Sequence, residues 1–70
     1  MTVYLVKHTI VTPPVYAADN GKTPAHTQAI QQAYRFMDWN SADRCRQRML
    51  GHEWRVVSAR VENGIIVHVN

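Results

Sequence analysis

The chain has 70 residues, of which 46% are hydrophobic, so residues 1–70 are predicted to form one small domain with its own core. Eight Lys and Arg against five Asp and Glu give a net charge of +3, and the single cysteine excludes both an intrachain disulfide and a zinc finger with paired cysteines. No apolar run approaches the roughly 18 residues of a membrane span, and the N-terminus lacks the pattern of a secretory signal, so we expect a cytoplasmic protein.

The first predicted element is a strand over residues 2–12, because Val, Ile, Thr and Tyr dominate this stretch. Pro13 and Pro14 end it, since proline donates no hydrogen bond to a sheet. The segment Asp19–Gly21 has the composition of a turn and predicts a flexible connection to the next element.

A first helix is predicted over residues 24–38. Thr23 is suited to cap it and Pro24 to occupy its first position, and apolar residues follow at helical spacing. The aromatic stretch Ala33–Trp39 leaves a short strand open as a second interpretation. In that case residues 13–32 would form one long loop, which is unusual in a compact domain.

A second helix is predicted over residues 42–50, with Asn40 or Ser41 as its N-cap and Asp43 in its first turn, where the helix dipole favours an acid. Gly51 is placed to end it. The spacing of apolar side chains predicts a buried side made of Ala42, Cys45, Met49 and Leu50.

Residues 54–61 and 65–69 are predicted to form a C-terminal hairpin. A three-residue loop, Glu62–Gly64, makes one face of both strands wholly apolar, whereas a two-residue loop mixes polar and apolar side chains. In the favoured register the facing pairs are Val61 with Ile65, Ala59 with Val67 and Val57 with Val69. The outer face is then predicted to carry Trp54, Val56, Ser58, Arg60, Ile66 and His68.

Together these elements predict an α+β fold. A small antiparallel sheet of three or four strands, ending in the hairpin, packs on one or two helices that cover one of its faces.

Metal binding and catalysis find little support in the sequence. The potential ligands lack the spacing of a metal site and there is no CxxC motif; they are His8, His26, His52, His68 and Cys45. A cysteine on the buried side of a helix behaves as a small hydrophobic residue. We therefore expect no metal, no cofactor and no enzymatic activity.

The arginines are the residues of this chain that say most about its function. All six arginines lie between residues 35 and 60, and guanidinium groups favour forked contacts to carboxylates or phosphates. Two tryptophans bracket the second helix and are suited either to the core or to stacking on a base. We predict a partner-binding surface among these side chains: Arg35, Arg44, Arg46, Arg48, Arg55, Arg60, Trp39 and Trp54.

Three kinds of partner remain open. A protein partner suits Arg and Trp, which are enriched among interface hot spots. A nucleic acid suits the basic charge, as in a small nucleic-acid-binding accessory or regulatory protein. A homodimer, as in a virion component, would form if Ile66 and Val69 were exposed on an edge strand.

The order of elements resembles that of small phage-encoded anti-CRISPR proteins that bind type I surveillance complexes, in particular type I-F inhibitors. The matching segments are an N-terminal strand (VYLVKHT), a capped basic helix (NSADRCRQRM) and a closing hairpin (WRVVSARVENGIIVHV), with most of the likeness over residues 33–69. The resemblance implies a short antiparallel sheet with one helix and a phage or mobile-element inhibitor acting in the host cytoplasm. It further implies Cas subunits of a ribonucleoprotein complex as partners and Arg44 and Arg48 as contact residues.

Overall fold

The structure is a computed structural model that describes residues 1–23, 25–49 and 53–70. These residues form five strands, one α-helix (α1, Trp39–Arg48) and one 3₁₀ turn (Ile30–Gln32). The strands are β1 (Thr2–His8), β2 (Tyr16–Ala17), β3 (His26–Thr27), β4 (Trp54–Glu62) and β5 (Ile65–Val69). They form one antiparallel sheet in the order β3-β2-β1-β4-β5. The predicted α+β fold is therefore confirmed, with five strands where three or four were expected.

β1 is the central strand of the sheet. It pairs with β4 along its whole length. On its other side β2 pairs with one end of it at Lys7, and Phe36 pairs with Tyr4 through two backbone hydrogen bonds of 2.8 and 2.9 Å. Both long edges of β1 are therefore hydrogen-bonded, although β2 itself has only two residues.

The first strand is shorter than predicted, since it ends at His8 and not at residue 12. The His8 ring accounts for the change of direction. Its Nδ1 accepts the backbone N–H groups of Ile10 and Val11 at 3.3 and 3.4 Å. A side chain that bonds the backbone two and three residues ahead favours a turn over a strand.

The predicted helix over residues 24–38 is wrong. The described residues of this segment form β3, the 3₁₀ turn and an isolated bridge at Phe36. Thr27 Oγ1 accepts the N–H of Ala29 at 3.1 Å, and such local bonds compete with a helix. Pairing with β1 then draws Phe36 into extended backbone, so the strand interpretation of residues 33–39 holds at that one residue.

α1 begins three residues before the predicted start and has a different cap. Asp38 is the N-cap: its carboxylate accepts the Ser41 N–H at 2.7 Å and the Ser41 hydroxyl at 3.0 Å. Asn40 and Ser41 are therefore inside the helix, and Asp43 is beyond its first turn. The predicted buried side is present in Ala42, Cys45 and Met49. Three residues to which the sequence assigned helix roles, Pro24, Leu50 and Gly51, lie outside the described residues.

Acid is expected to destabilise the fold through this cap. The Ser41 N–H and then the Ser41 hydroxyl hold the pKa of Asp38 below its usual value. A lowered folded-state pKa stabilises the protein above the unfolded-state value, and this stabilisation is lost as the pH falls through the folded-state value.

Asp38→Asn separates the cap from its titration, because Asn caps helices about as well as Asp but carries no acidic proton. We expect its midpoint of thermal unfolding to fall less than that of the parent between about pH 7 and about pH 2. Circular dichroism melts at both pH values measure this. Asp19 and Asp43, whose pKa values are also lowered, titrate in both proteins. An identical fall in both proteins would show that the cap does not contribute.

The hairpin turn has two residues and not the predicted three. Glu62 pairs with Ile65 and Val61 with Ile66. Asn63 and Gly64 form the turn with φ of 54° and 77°, the positive values that two-residue hairpins require.

A β-bulge restores the separation of apolar and polar side chains onto opposite faces, which this register would otherwise disrupt. The pairing shifts beyond Val61, so that Arg60 faces His68 and Ala59 faces Val69. One extra residue in β5, Val67, is skipped, and Val69 returns to the apolar face. Ile66 is consequently buried, at 6% exposure, whereas Ile65 is exposed. The expectation that Ile66 is exposed on the outer face is therefore wrong.

The core lies on both faces of the sheet, not on one. On one face, alternate residues of β1 and β4 pack with the 3₁₀ turn and β5 in a cluster of Val3, Leu5, Tyr16, Ala33, Ala59, Val61 and Ile66. On the other face α1 covers a cluster of Val6, Ala17, Phe36, Ala42, Cys45, Met49 and Trp54. Trp54 and Val56, predicted on an outer face, therefore lie beneath the helix, because a five-stranded sheet leaves apolar residues on both sides to cover.

Candidate interaction surface

The outward side of α1 presents the strongest candidate surface. Its buried side faces the sheet, so the side chains left exposed on the helix are Trp39, Asn40, Arg44, Gln47 and Arg48. Trp39 is 51% exposed, and Met37, two residues earlier, is 66% exposed. We use the name helix surface for Met37, Trp39, Arg44 and Arg48.

The two arginines of the helix surface form no ion pair within the described part of the chain. Arg44 donates to the Ser41 hydroxyl at 3.4 Å, which is a long and weak contact. Its charge contributes to the lowered pKa of Asp38, although Arg44 and Asp38 do not form an ion pair. Both guanidinium groups therefore retain donors for an external acceptor.

Arg46, on the same helix, is already engaged. Its Nε lies 2.7 Å from Asp43 Oδ1, and Gln47 donates to the other oxygen of the same carboxylate at 3.0 Å. These contacts, above all the Arg46 hydrogen bond, lower the pKa of Asp43. We therefore place Arg46 in the internal network of α1 and outside the helix surface.

The remaining predicted residues do not join the helix surface. Arg35 donates to the Gly64 carbonyl at 2.7 Å, and Arg60 pairs with Glu62 at 3.1 Å. Arg55 is exposed opposite Lys7 in the β1–β4 ladder. Because side chains alternate across a strand, Arg55 points to the sheet face opposite α1.

Trp54 belongs to the core. It is 8% exposed, and the His8 ring meets it edge to face with centroids 5.0 Å apart. This is a favourable aromatic geometry, and it leaves little of the indole for a partner. Of the two tryptophans, only Trp39 is available for contact.

The segment Asp19–Thr23 packs against the side of α1 that carries Cys45 and the stem of Arg48. Asp19 accepts the Gly21 N–H at 2.8 Å and the hydroxyl of Thr23. Gly21 has φ +91°, and a Cβ there would lie 3.2 Å from the Cys45 Cα, so only glycine fits without displacement. Lys22 lies in this segment, next to α1, and its side chain is exposed.

Cys45 is enclosed by this segment. Its Sγ donates to the Asp19 carbonyl at 3.6 Å, and its side chain is buried. Burial raises the pKa of the thiol, the Asp19 charge raises it further, and the Arg48 charge only partly opposes them. The thiol therefore stays protonated at neutral pH, whereas a nucleophilic cysteine needs the thiolate.

Two open depressions lie near the end of the sheet where β4 begins. The larger, of about 340 Å³, is lined by Thr9, Glu53, Trp54 and Arg55. The smaller, of about 170 Å³, is lined by His8, Val11, Val15, His26 and Trp54.

Among the described residues no three His, Cys, Asp or Glu side chains are grouped to hold a metal ion; His52 lies outside them. In the same residues, no helix has the length and apolarity to cross a membrane.

Fold and surface together define a small α+β domain that presents arginines and an exposed tryptophan on its helix. Comparison of the chain with protein-family models, with curated proteins and with solved structures gave no match. Function is therefore inferred from the chemistry of the side chains in this chain.

Two contacts outside the helix surface were not predicted from the sequence. Asp38 precedes Ser41 by three residues, which is the spacing of an N-cap acceptor, and this signal was available in the sequence. Gln31 bonds the backbone of β5 from 35 residues away, and no local pattern marks such a contact.

Proposed function

We propose that the protein is a non-enzymatic binding protein of a phage or mobile element. It inhibits a host nucleoprotein complex, in the manner of anti-CRISPR proteins, by covering a surface of that complex with its helix surface. The observation that carries the proposal is the exposure of Arg44 and Arg48, without ion pairs in the described chain, on the same helix as a half-exposed Trp39.

The use of the other arginines supports this choice. Arg35, Arg46 and Arg60 all spend donors on groups of the protein itself. In the described chain, Arg44 makes only the long contact to the Ser41 hydroxyl and Arg48 forms no ion pair, and desolvating a guanidinium is favourable only when a carboxylate or phosphate receives its donors. Arginine and tryptophan are also the side chains that most often dominate binding energy. The partner is therefore expected to place acidic groups opposite the helix.

The size of the molecule sets how much of it a partner must cover. A stable interface takes about 800 Å² from each partner, against a total surface of 4518 Å² here. The outward side of a 10-residue helix about 15 Å long is too small alone. Met37 and Lys22, exposed beside α1, extend the contact, and such coverage suits an inhibitor that acts by occlusion.

The state of Cys45 agrees with a non-enzymatic role. It is the only cysteine of the chain, it is buried, and its pKa is raised by that burial. A thiol in this state packs as a core side chain and does not act as a nucleophile.

Binding to a purified type I-F surveillance complex tests the proposal directly. The tagged protein is mixed with nuclease-treated complex and the mixture is washed at low salt and at about 0.3 M salt, where exposed charges are strongly screened. We expect the complex to be retained at both salt concentrations and to lose its binding of target DNA. Failure to bind the complex would contradict the proposal.

Direct nucleic-acid binding is the second candidate, favoured by one observation. Trp39 is exposed at the start of a helix that carries two arginines with no ion pair among the described residues, and an exposed indole can stack on a base. With Arg44, Arg48 and Lys22 as the cations, about three phosphates are neutralised, which predicts a slope of about −3 for log K against log salt on duplex DNA. Binding to naked DNA with that slope, and none to the nuclease-treated complex, would select this candidate.

A further inference from the structure

The outer edge of the sheet carries an unusual contact. β5 is an outermost strand of the sheet, so its backbone groups on the side away from β4 have no strand partner among the described residues. At Ile66 the side-chain amide of Gln31 takes that place: Nε2 donates to the Ile66 carbonyl at 3.0 Å, and Oε1 accepts the Ile66 N–H at 3.0 Å. One amide therefore satisfies the donor and the acceptor that a neighbouring strand would use.

Arg35 fixes the position of this amide. Its Nη2 donates to Gln31 Oε1 at 3.3 Å, and its Nη1 donates to the carbonyl of Gly64, in the turn before β5, at 2.7 Å. Beneath them Ile30 packs against the core cluster that contains Ile66. The segment around the 3₁₀ turn is thus fastened to the β5 edge by polar contacts and by burial.

The strand behind this contact is well suited to pair with another strand. Residues 65–69 contain no Lys, Arg, Asp, Glu or Pro, the residues that natural edge strands use against pairing. Ile65 and Val67 flank Ile66 and are 54% and 48% exposed. Uncharged β-branched stretches of this kind associate readily when their edges are open.

A second copy of the chain is the occupant that fits such an edge. Two antiparallel β5 strands related by a two-fold axis offer each other the same donors, acceptors and apolar side chains. We propose that Gln31, positioned by Arg35, guards the β5 edge and prevents this pairing, so that the protein is monomeric because one side-chain amide occupies the backbone of Ile66. This inference is independent of the proposed function.

Replacing Gln31 tests whether its side chain prevents pairing at the β5 edge. Size-exclusion chromatography with light scattering should give the parent the mass of one chain, 8.0 kDa, and should move Gln31→Ala towards twice that mass as its concentration rises. Gln32→Ala is the matched control, since Gln32 is an exposed neighbour with no side-chain hydrogen bond in the described chain. It should remain monomeric.

A second substitution identifies the edge as the route of association. A lysine on an edge strand opposes pairing, so Val67→Lys added to Gln31→Ala should restore the monomer. If Gln31→Ala does not fold by circular dichroism, Gln31→Met, which keeps the length of the side chain and lacks the amide, replaces it in the same comparison. A dimeric parent, a folded variant that stays monomeric, or a dimer that survives Val67→Lys would overturn the proposal.

Discussion

Neutralising Arg44 and Arg48 together, as Arg44→Gln and Arg48→Gln, is expected to weaken binding to the type I-F complex by about a hundredfold or more. Each hydrogen bond to a charged group contributes about 1.5–3 kcal/mol, and every 1.4 kcal/mol or so is tenfold in affinity. Both side chains are exposed and have no ion-pair partner to lose in the described chain. Glutamine also keeps most of the helix propensity of arginine. The affinity is measured by titration against the purified complex.

A control with the same loss of charge separates a local contact from general electrostatics. Lys7→Gln with Arg55→Gln also removes two positive charges, but from the sheet face opposite α1. These two residues are cross-strand neighbours of like charge, so their neutralisation should not reduce stability. Equal loss of binding in both double variants would show that net charge, and not the helix surface, attracts the partner.

Stability must be measured in the same variants. Arg48 lies in the last turn of α1, where its removal weakens a favourable interaction with the helix dipole by about 0.3–1 kcal/mol. A loss of binding that accompanies unfolding would mean that the arginines are structural and that the helix surface is wrongly assigned.

Local pattern was sufficient where local contacts decide the structure. The spacing of Ala42, Cys45 and Met49 defines the buried side of α1 without reference to the rest of the chain. The strands of the hairpin follow from their composition in the same way. These features were predictable because periodicity of 3.6 or 2 residues selects both the element and its buried face.

Distant partners decided the features that were predicted wrongly. Residues 24–38 have helical spacing, but Phe36 pairs with Tyr4 of the central strand β1, and this pairing overrides a weak local preference for helix. In the hairpin, the sequence pattern disfavours a two-residue Asn63-Gly64 turn because its register mixes polar and apolar side chains on both faces. The bulge at Val67 removes that conflict, and a register rule without bulges does not include it.

The arginine set illustrates the same limit for function. Sequence reasoning grouped six arginines because they are near in the chain. The fold sends Arg55 to another face of the sheet and joins Arg35 to Gly64, 29 residues away. Only Arg44 and Arg48 lie one turn apart on the exposed side of one helix, and that spacing was readable from the sequence.

Leu5→Ala is expected to cause the largest loss of stability among these substitutions. Leu5 lies in the middle of the central strand, has no exposed surface and packs in the cluster beneath the 3₁₀ turn. Buried Leu→Ala substitutions cost about 2–5 kcal/mol because contacts are lost and a cavity remains. A 70-residue domain has a total stability of about 4–10 kcal/mol. The variant should therefore melt at least about 10 °C below the parent.

Ile65→Ala is the matched control for this loss. It also shortens an aliphatic side chain in a strand, but Ile65 is 54% exposed, and the substitution should cost no more than about 1 kcal/mol. Urea titrations of parent and both variants give the free energies of unfolding. Equal losses for the two would mean that the cluster around Leu5 packs no better than the edge strand. A much larger loss for Leu5→Ala would establish that the central strand is the part of the sheet on which the fold depends.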